Sequence, residues 1–192
     1  MTKLFNELSE ANKAKAITDT QASYGYLDYE WFDQTETDFN DILAIIGYYD
    51  IETSFSGFHS QGDGASFTAK YSYEKGSVAK LKAYAPKDEE LHRIVQELKN
   101  IQAKVCYDLE AYITPSGSNY CHEMTMSCEC HSRRGNIKDD TANEYEDEIL
   151  ELSRDLARWY YKTLNNEYDY LMSDEAVREH IIANAEEFDY AN

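Results

Sequence analysis

The sequence predicts an α+β fold: one antiparallel sheet of about four strands, arranged as two hairpins, with helices packed on one face and helical regions at both ends. Three observations predict it. Apolar residues recur at intervals of three and four along several stretches, the mark of helices that bury one stripe. Two pairs of short segments alternate with period two and are joined by turn-forming residues. Only 2 Pro and 8 Gly occur in 192 residues, so no linker composition divides a chain whose length suits one domain. The expected organisation is a single domain over 1–192, with an acidic helical N-terminal region (1–47), a sheet-containing middle (48–135) and an acidic helical C-terminal region (136–192).

Each element has its own signal. Leu4, Phe5, Leu8, Ala11, Ala14 and Ile17 share one helical stripe, which predicts a helix from Leu4 ending near Asp19. Residues Tyr24 to Ile46, dense in aromatics and acids before Ile42, Leu43, Ile45 and Ile46, predict a second helix closed by Gly47. Tyr49, Ile51, Thr53 and Phe55 then alternate with Tyr48, Asp50, Glu52 and Ser54 as a strand. Its partner is Ala65 to Tyr73, with Phe67, Ala69, Tyr71 and Tyr73 on one face, across the loop Gly57 to Gly64, whose three glycines permit a compact connection. Leu91, Ile94, Val95, Leu98 and Ile101 predict a helix over Asp88 to Ala103. Val105 to Thr114 and Tyr120 to His131 form the second hairpin about Pro115-Ser116-Gly117-Ser118-Asn119. A helix follows from Asp140 to Leu171, and Ser173 is placed to cap a last one.

Composition narrows function. With 37 Asp and Glu against 18 Lys and Arg, the net charge of −19 repels nucleic acid, so no direct nucleic-acid binding is expected. Acidic chains are often disordered, but disorder also needs few aromatics, and here there are 17 Tyr, 7 Phe and 2 Trp. No stretch approaches a membrane span, and the start lacks a basic region followed by an apolar one. A cytoplasmic protein is expected, with Cys106, Cys121, Cys128 and Cys130 as free thiols.

The acid is unevenly placed. Residues 1–50 carry a net −7, 51–104 a net +1, 105–135 a net −2 and 136–192 a net −11. One reading is a solvating surface. The other is imitation of phosphate spacing by Asp139, Asp140, Glu144, Glu146, Asp147, Glu148, Glu151 and Asp155, with Asp28, Glu30, Asp33, Glu36, Asp38 and Asp41 as a second group. A helix rises about 1.5 Å per residue and duplex DNA carries one charge per about 1.7 Å, so a helix in which about half the residues are acidic matches that density.

Chemistry-bearing motifs are weaker. Cys121-His122-Glu123-Met124-Thr125-Met126-Ser127-Cys128-Glu129-Cys130-His131 offers metal ligands, but Cys-x-Cys within a strand is not the spacing of a structural zinc site. Alternation places His122, Met124, Met126, Cys128 and Cys130 on one face, which reads as core. The five histidines, His59, His92, His122, His131 and His180, fall into no catalytic spacing, and no phosphate-cradling loop, nucleophile elbow or His-Glu-x-x-His is present. His59, Ser60 and Asp63 in the glycine loop lie too close in sequence to be a triad by that fact alone. No catalytic residue, metal or cofactor is expected. Tyr24, Tyr26, Tyr29, Tyr48, Tyr49, Tyr71, Tyr73 and Tyr84 suit either half-buried strand positions or a binding face.

Two stretches carry a resemblance: Phe55-Ser56-Gly57-Phe58-His59-Ser60-Gln61-Gly62-Asp63-Gly64-Ala65-Ser66-Phe67, and Trp159-Tyr160-Tyr161-Lys162-Thr163-Leu164 with Glu167-Tyr168-Asp169-Tyr170-Leu171-Met172-Ser173-Asp174-Glu175-Ala176-Val177. Both resemble a family of small phage and prophage proteins of poorly defined function, some labelled antitoxins of toxin–antitoxin systems. The resemblance implies expression by a virus inside a bacterium, where small acidic proteins inhibit host defence enzymes. The leading expectation is therefore a non-enzymatic inhibitor of anti-CRISPR or anti-restriction type, whose partner is a bacterial host defence protein with a basic nucleic-acid-binding groove. An antitoxin-like protein is the alternative, and an enzyme or zinc protein centred on the glycine loop or the Cys/His strand is the third.

Overall fold

The computed structural model describes residues 2–23, 26–27, 30–116 and 120–190. In chain order the elements are β1 (Lys3–Leu4), α1 (Glu10–Gln21), α2 (Asp33–Ile46), β2 (Tyr48–Phe55), β3 (Ala65–Ser72), α3 (Ser77–Tyr84), α4 (Glu89–Lys104), β4 (Leu109–Pro115), β5 (Met126–Ser132), α5 (Asp139–Asn143), α6 (Glu146–Leu171), α7 (Asp174–Ala183) and β6 (Glu187–Phe188). The chain forms two compact units, Gln34–Thr163 and the smaller Met1–Asp33 with Leu164–Asn192. Among the described residues, no helix is long and apolar enough to cross a membrane.

The larger unit is α+β. Its sheet has the order β2-β3-β4-β5 with every neighbour antiparallel. The row Tyr48, Tyr71, Ala111, Cys130 runs across all four strands, and all four side chains are buried. Helices cover this face. Phe39 of α2 stacks on Tyr160 of α6 at 4.3 Å between ring centroids and meets Phe67 of β3 edge-on at 5.8 Å. Tyr48 and Ser153 of α6 share a buried hydroxyl bond of 2.9 Å, which meets the need of a buried polar group for a partner. The stripe Leu91, Ile94, Val95, Leu98, Ile101 of α4 is fully buried, as its spacing predicts.

The smaller unit has its own core of Phe5, Leu8, Ala16, Ile17, Val177 and Ile181, flanked by Tyr26, Phe188 and Tyr190. Strands β1 and β6 pair antiparallel. The Tyr26 hydroxyl donates to the Leu171 carbonyl at 2.7 Å, and its ring meets His180 edge-on at 5.0 Å.

Several boundaries differ from the sequence reading, each for a local reason. The first helix begins at Glu10 rather than Leu4, because the Ser9 side chain accepts the Asn12 N–H and caps it there. The second begins at Asp33; Tyr24, Asp28 and Tyr29 lie outside the described residues. Strand β4 starts at Leu109 because Cys106 and Tyr107 both adopt positive φ. Strand β5 starts at Met126, after a 3-10 turn over Glu123–Thr125. Gly117, Ser118 and Asn119 of the expected turn lie outside the described residues. The helix expected from Asp140 to Leu171 is two, α5 and α6, separated at Glu144 and Tyr145.

The most instructive difference is in β2. Asp50 sits at φ +53° within a register shift between Tyr49 and Glu52. This bulge changes the phase of the strand. Tyr48 faces the core opposite Tyr71, yet Thr53 faces it too, opposite Phe67. Simple alternation therefore misassigns one end of the strand, and the bulge turns Tyr49 onto the opposite face.

Candidate functional site

The predicted acids do not form a single rail. Asp139, Asp140, Glu144, Asp147, Glu148 and Glu151 are exposed, and Glu146 and Asp155 are half-buried. Asp139 accepts the Ser132 N–H at 3.2 Å, and Glu146 accepts the Cys130 N–H at 3.0 Å, so both tie the end of the sheet. From Glu148 onward each acid meets a base. Lys104 lies 3.8 Å from Glu148, Arg158 is 2.9 Å from Glu151 and 2.7 Å from Asp155, and Arg93 of α4 is 2.5 Å from Asp155. Arg93, Lys104, Glu148, Glu151 and Asp155 border a cavity of about 460 Å³ between α4 and α6. Asp140, Glu144 and Asp147 have no basic partner among the described residues.

The second acidic group is engaged in part. Asp33 is exposed at the start of α2. Glu36 accepts the Thr53 hydroxyl. Asp38 accepts Gln34 at 3.0 Å and the Tyr84 hydroxyl at 3.5 Å. Asp28 lies outside the described residues.

The arginines that interleave this surface were missing from the sequence reading, although Glu151-x-x-Arg154 and Asp155-x-x-Arg158 carry a legible three-residue spacing. Arg154 also donates to the carbonyls of Glu123 and Met126 at 3.2 and 3.1 Å, which holds the segment entering β5 against α6.

The opposite face of the sheet gathers a second set of polar groups. Tyr49, Lys70, Tyr112 and Glu129 form one row across the four strands. Glu110 accepts hydrogen bonds from the Tyr49 hydroxyl and from the His131 Nε2, the latter at 3.1 Å. Burial works to raise the Glu110 carboxyl, but those two bonds outweigh it and hold it below the usual carboxylate range. Burial, then the bond to Glu110, pushes the Tyr49 phenol up to about 12. His131 stacks on Tyr112 at 4.9 Å, and Lys70 pairs with Asp50 at 2.8 Å. An imidazole oriented by a carboxylate is half of an acid–base device, yet no nucleophilic hydroxyl or thiol is bonded to His131 among the described residues.

Three side chains hold the glycine loop: the Ser56 hydroxyl accepts the Gly64 N–H at 3.0 Å, the Tyr161 hydroxyl donates to the Gly57 carbonyl at 2.9 Å, and Asp63 closes the turn. Asp63 Oδ2 accepts the N–H groups of His59 and Ser60 at 3.0 and 2.6 Å, a turn closed by the carboxylate. A Cβ on Gly64 would lie 2.9 Å from His122 Cδ2, so the residue is glycine for close approach. In the Cys/His segment, Met126 and Cys130 are buried and Cys128 is half-buried, with 3.6 Å between the two sulfurs. The Cys130 contact, then burial, pushes the Cys128 thiol up. Met124 is exposed, because the strand has not yet begun. All four cysteines are free thiols, and no three metal-ligating side chains converge among the described residues.

Asp108, which the sequence did not flag, organises the end of the sheet. Its side chain is fully buried. It accepts the Ser132 hydroxyl at 2.5 Å, the N–H and Nε of Arg134 each at 3.0 Å, and the Asn136 N–H at 2.9 Å. Burial alone would raise this carboxyl, but these bonds lower it to about 2.

Fold and surface together define an acidic α+β protein with a four-stranded antiparallel sheet, helices on one face and ionic networks on its helices. No curated protein and no solved structure matches the chain. Residues 31–174 match the family model described as Domain of unknown function (DUF8835), and the chain belongs to that family.

Proposed function

We propose that the protein is a non-enzymatic inhibitor that docks exposed acids into the basic nucleic-acid-binding groove of a bacterial defence protein, acting in the cytoplasm of a phage-infected host. The observation that supports this reading is the exposed run Asp139, Asp140, Glu144 and Asp147 over α5, the following turn and the first turn of α6. None of the four has a basic partner among the described residues, and Asp139 accepts only the Ser132 N–H. On this reading the docking surface is narrow. Glu148, Glu151 and Asp155 are matched by Lys104, Arg158 and Arg93, so the ladder of negative charge is short and the break at Glu144 and Tyr145 bends it. A groove that prefers phosphate would meet this end of the helix pair first, and the Arg158 network would flank it.

The test is capture of partners from bacterial lysate by the tagged protein at low and raised salt, with and without duplex DNA. The reading predicts a nucleic-acid-binding protein that is lost with salt and displaced by DNA, since surface charge contacts weaken as the screening length falls. A small partner indifferent to DNA would instead favour the antitoxin-like role.

A further inference from the structure

The first turn of α3 carries a feature separate from the acidic surface. Helix α3 begins at Ser77 with Gly76 as its N-cap, no side-chain cap and no acid in its first turn. Gly76 adopts φ +84°, and a Cβ there would meet nothing within 4 Å, so the glycine is required by its backbone and leaves the helix end open. The Ser77 N–H is taken by the Glu74 carbonyl at 3.2 Å, whereas the Val78 N–H has no such acceptor. Helix N-termini present unpaired N–H groups and a partial positive charge that favour anions.

Three side chains add to this. Ser77 is 3 % exposed and lines a cavity; its hydroxyl has no hydrogen-bond partner among the described residues and is not one of the fully enclosed unpartnered polar atoms, so it is left free to donate into that cavity. Lys82 and Lys99 line the same cavity, of about 320 Å³, as Ser77 and Val78. Neither lysine has an acidic partner among the described residues, in a chain where acids outnumber bases two to one; Glu74, the acid nearest to Ser77 along the chain, is taken by Lys80 at 2.6 Å. The remaining wall is Tyr73, whose ring pairs with Tyr107 at 4.4 Å.

We infer that this cavity binds a small phosphomonoester with a planar body, of the nucleoside monophosphate class. The phosphoryl oxygens accept from the Ser77 hydroxyl, the Val78 N–H and the two ammonium groups, and the planar body lies against Tyr73. Two ammonium groups match a dianion, and an aromatic wall adds stacking that a bare phosphate cannot use.

The experiment is a titration of the ¹⁵N-labelled full chain at low ionic strength with adenosine monophosphate, inorganic phosphate and adenosine, following the amides of 76–82. The expected result is saturable shifts at Val78 and Ala79 with the monophosphate, weaker saturation with inorganic phosphate and none with adenosine. Lys82→Ala and Lys99→Ala should each weaken the monophosphate by about tenfold, while keeping the dispersed spectrum of the folded protein. Ser77→Ala should weaken it less. No saturable shift with the monophosphate, or undiminished binding in the double lysine variant, would overturn the site. Equal affinity for inorganic phosphate and the monophosphate would overturn the assignment of a planar body.

Discussion

The smaller unit holds fourteen acids and four bases, a net −10, and the larger holds twenty-three acids and fourteen bases, a net −9. Nearly equal charge is thus carried on chain lengths that differ about twofold. The handling differs as well. In the larger unit Arg93, Arg154 and Arg158 thread between Glu123, Glu151 and Asp155, and the buried Asp108 is enclosed by donors. In the smaller unit Lys13 and Lys15 serve Glu10 and Asp19 of their own helix, and Glu175 and Glu179 of α7 have no basic partner among the described residues. Net charge per segment therefore measures repulsion poorly; what counts is how many acids remain without a base or a donor.

This contrast can be broken or sharpened by substitution. The largest effect is expected in the aromatic core of the larger unit. Phe39→Ala removes the ring stacked on Tyr160 and should cost about 4 kcal/mol in a urea titration; a loss below about 1 kcal/mol would mean that the stack is not part of the stable core. Asp108→Asn should cost about 3 kcal/mol, because Arg134 and the surrounding N–H groups lose a buried acceptor charge. That carboxyl lies at about 2 in the folded chain, below its ordinary 3.8, so it contributes stability that is fully present above about pH 4 and lost as pH falls through about 2. The acid limb of a stability–pH curve should accordingly flatten in Asp108→Asn, and an unchanged limb would remove Asp108 from the account.

Smaller effects separate the two surfaces. Arg158→Ala leaves Glu151 and Asp155 facing each other and should cost about 1 kcal/mol at low salt. Raising salt should instead help the smaller unit. Hydrogen exchange in α1 and α7 should slow by about twofold as repulsion is screened, with little change in the sheet of the larger unit. Faster exchange in α7 at high salt would show that its acids are held by attractive contacts.

How much of this is legible in the sequence follows from how local each signal is. The α4 stripe and the Ser173 cap of α7 depend on spacing and one side chain, and the sequence displays both. Helix α3 buries only Ser77 and Leu81, too few to make a period, so spacing does not reveal it. The bulge at Asp50 has no mark beyond a residue type that tolerates positive φ, yet it decides which tyrosine faces the core. Leu4, Phe5 and Leu8 mimic a helical stripe although they precede the cap at Ser9; Phe5 and Leu8 are buried by packing within the smaller unit, and Leu4 is exposed. At the candidate site the acids themselves are legible, as is the three-residue spacing to Arg154 and Arg158. Arg93 reaching Asp155, Ser132 donating to Asp108, and His131 meeting Glu110 join segments far apart in the chain and exist only once the sheet and helices are assembled.

The most direct test of the proposed docking surface compares two charge-removal variants in the same capture from bacterial lysate. One carries Asp139→Asn, Asp140→Asn, Glu144→Gln and Asp147→Asn; the other carries Glu151→Gln and Asp155→Asn, which remove acids already matched by arginine. The account predicts that the first loses a DNA-displaceable partner while the second retains most of it, with both variants folded by circular dichroism. Equal retention by the first variant, or equal loss by the second, would contradict the assignment of docking to the unpaired acids of α5 and the start of α6.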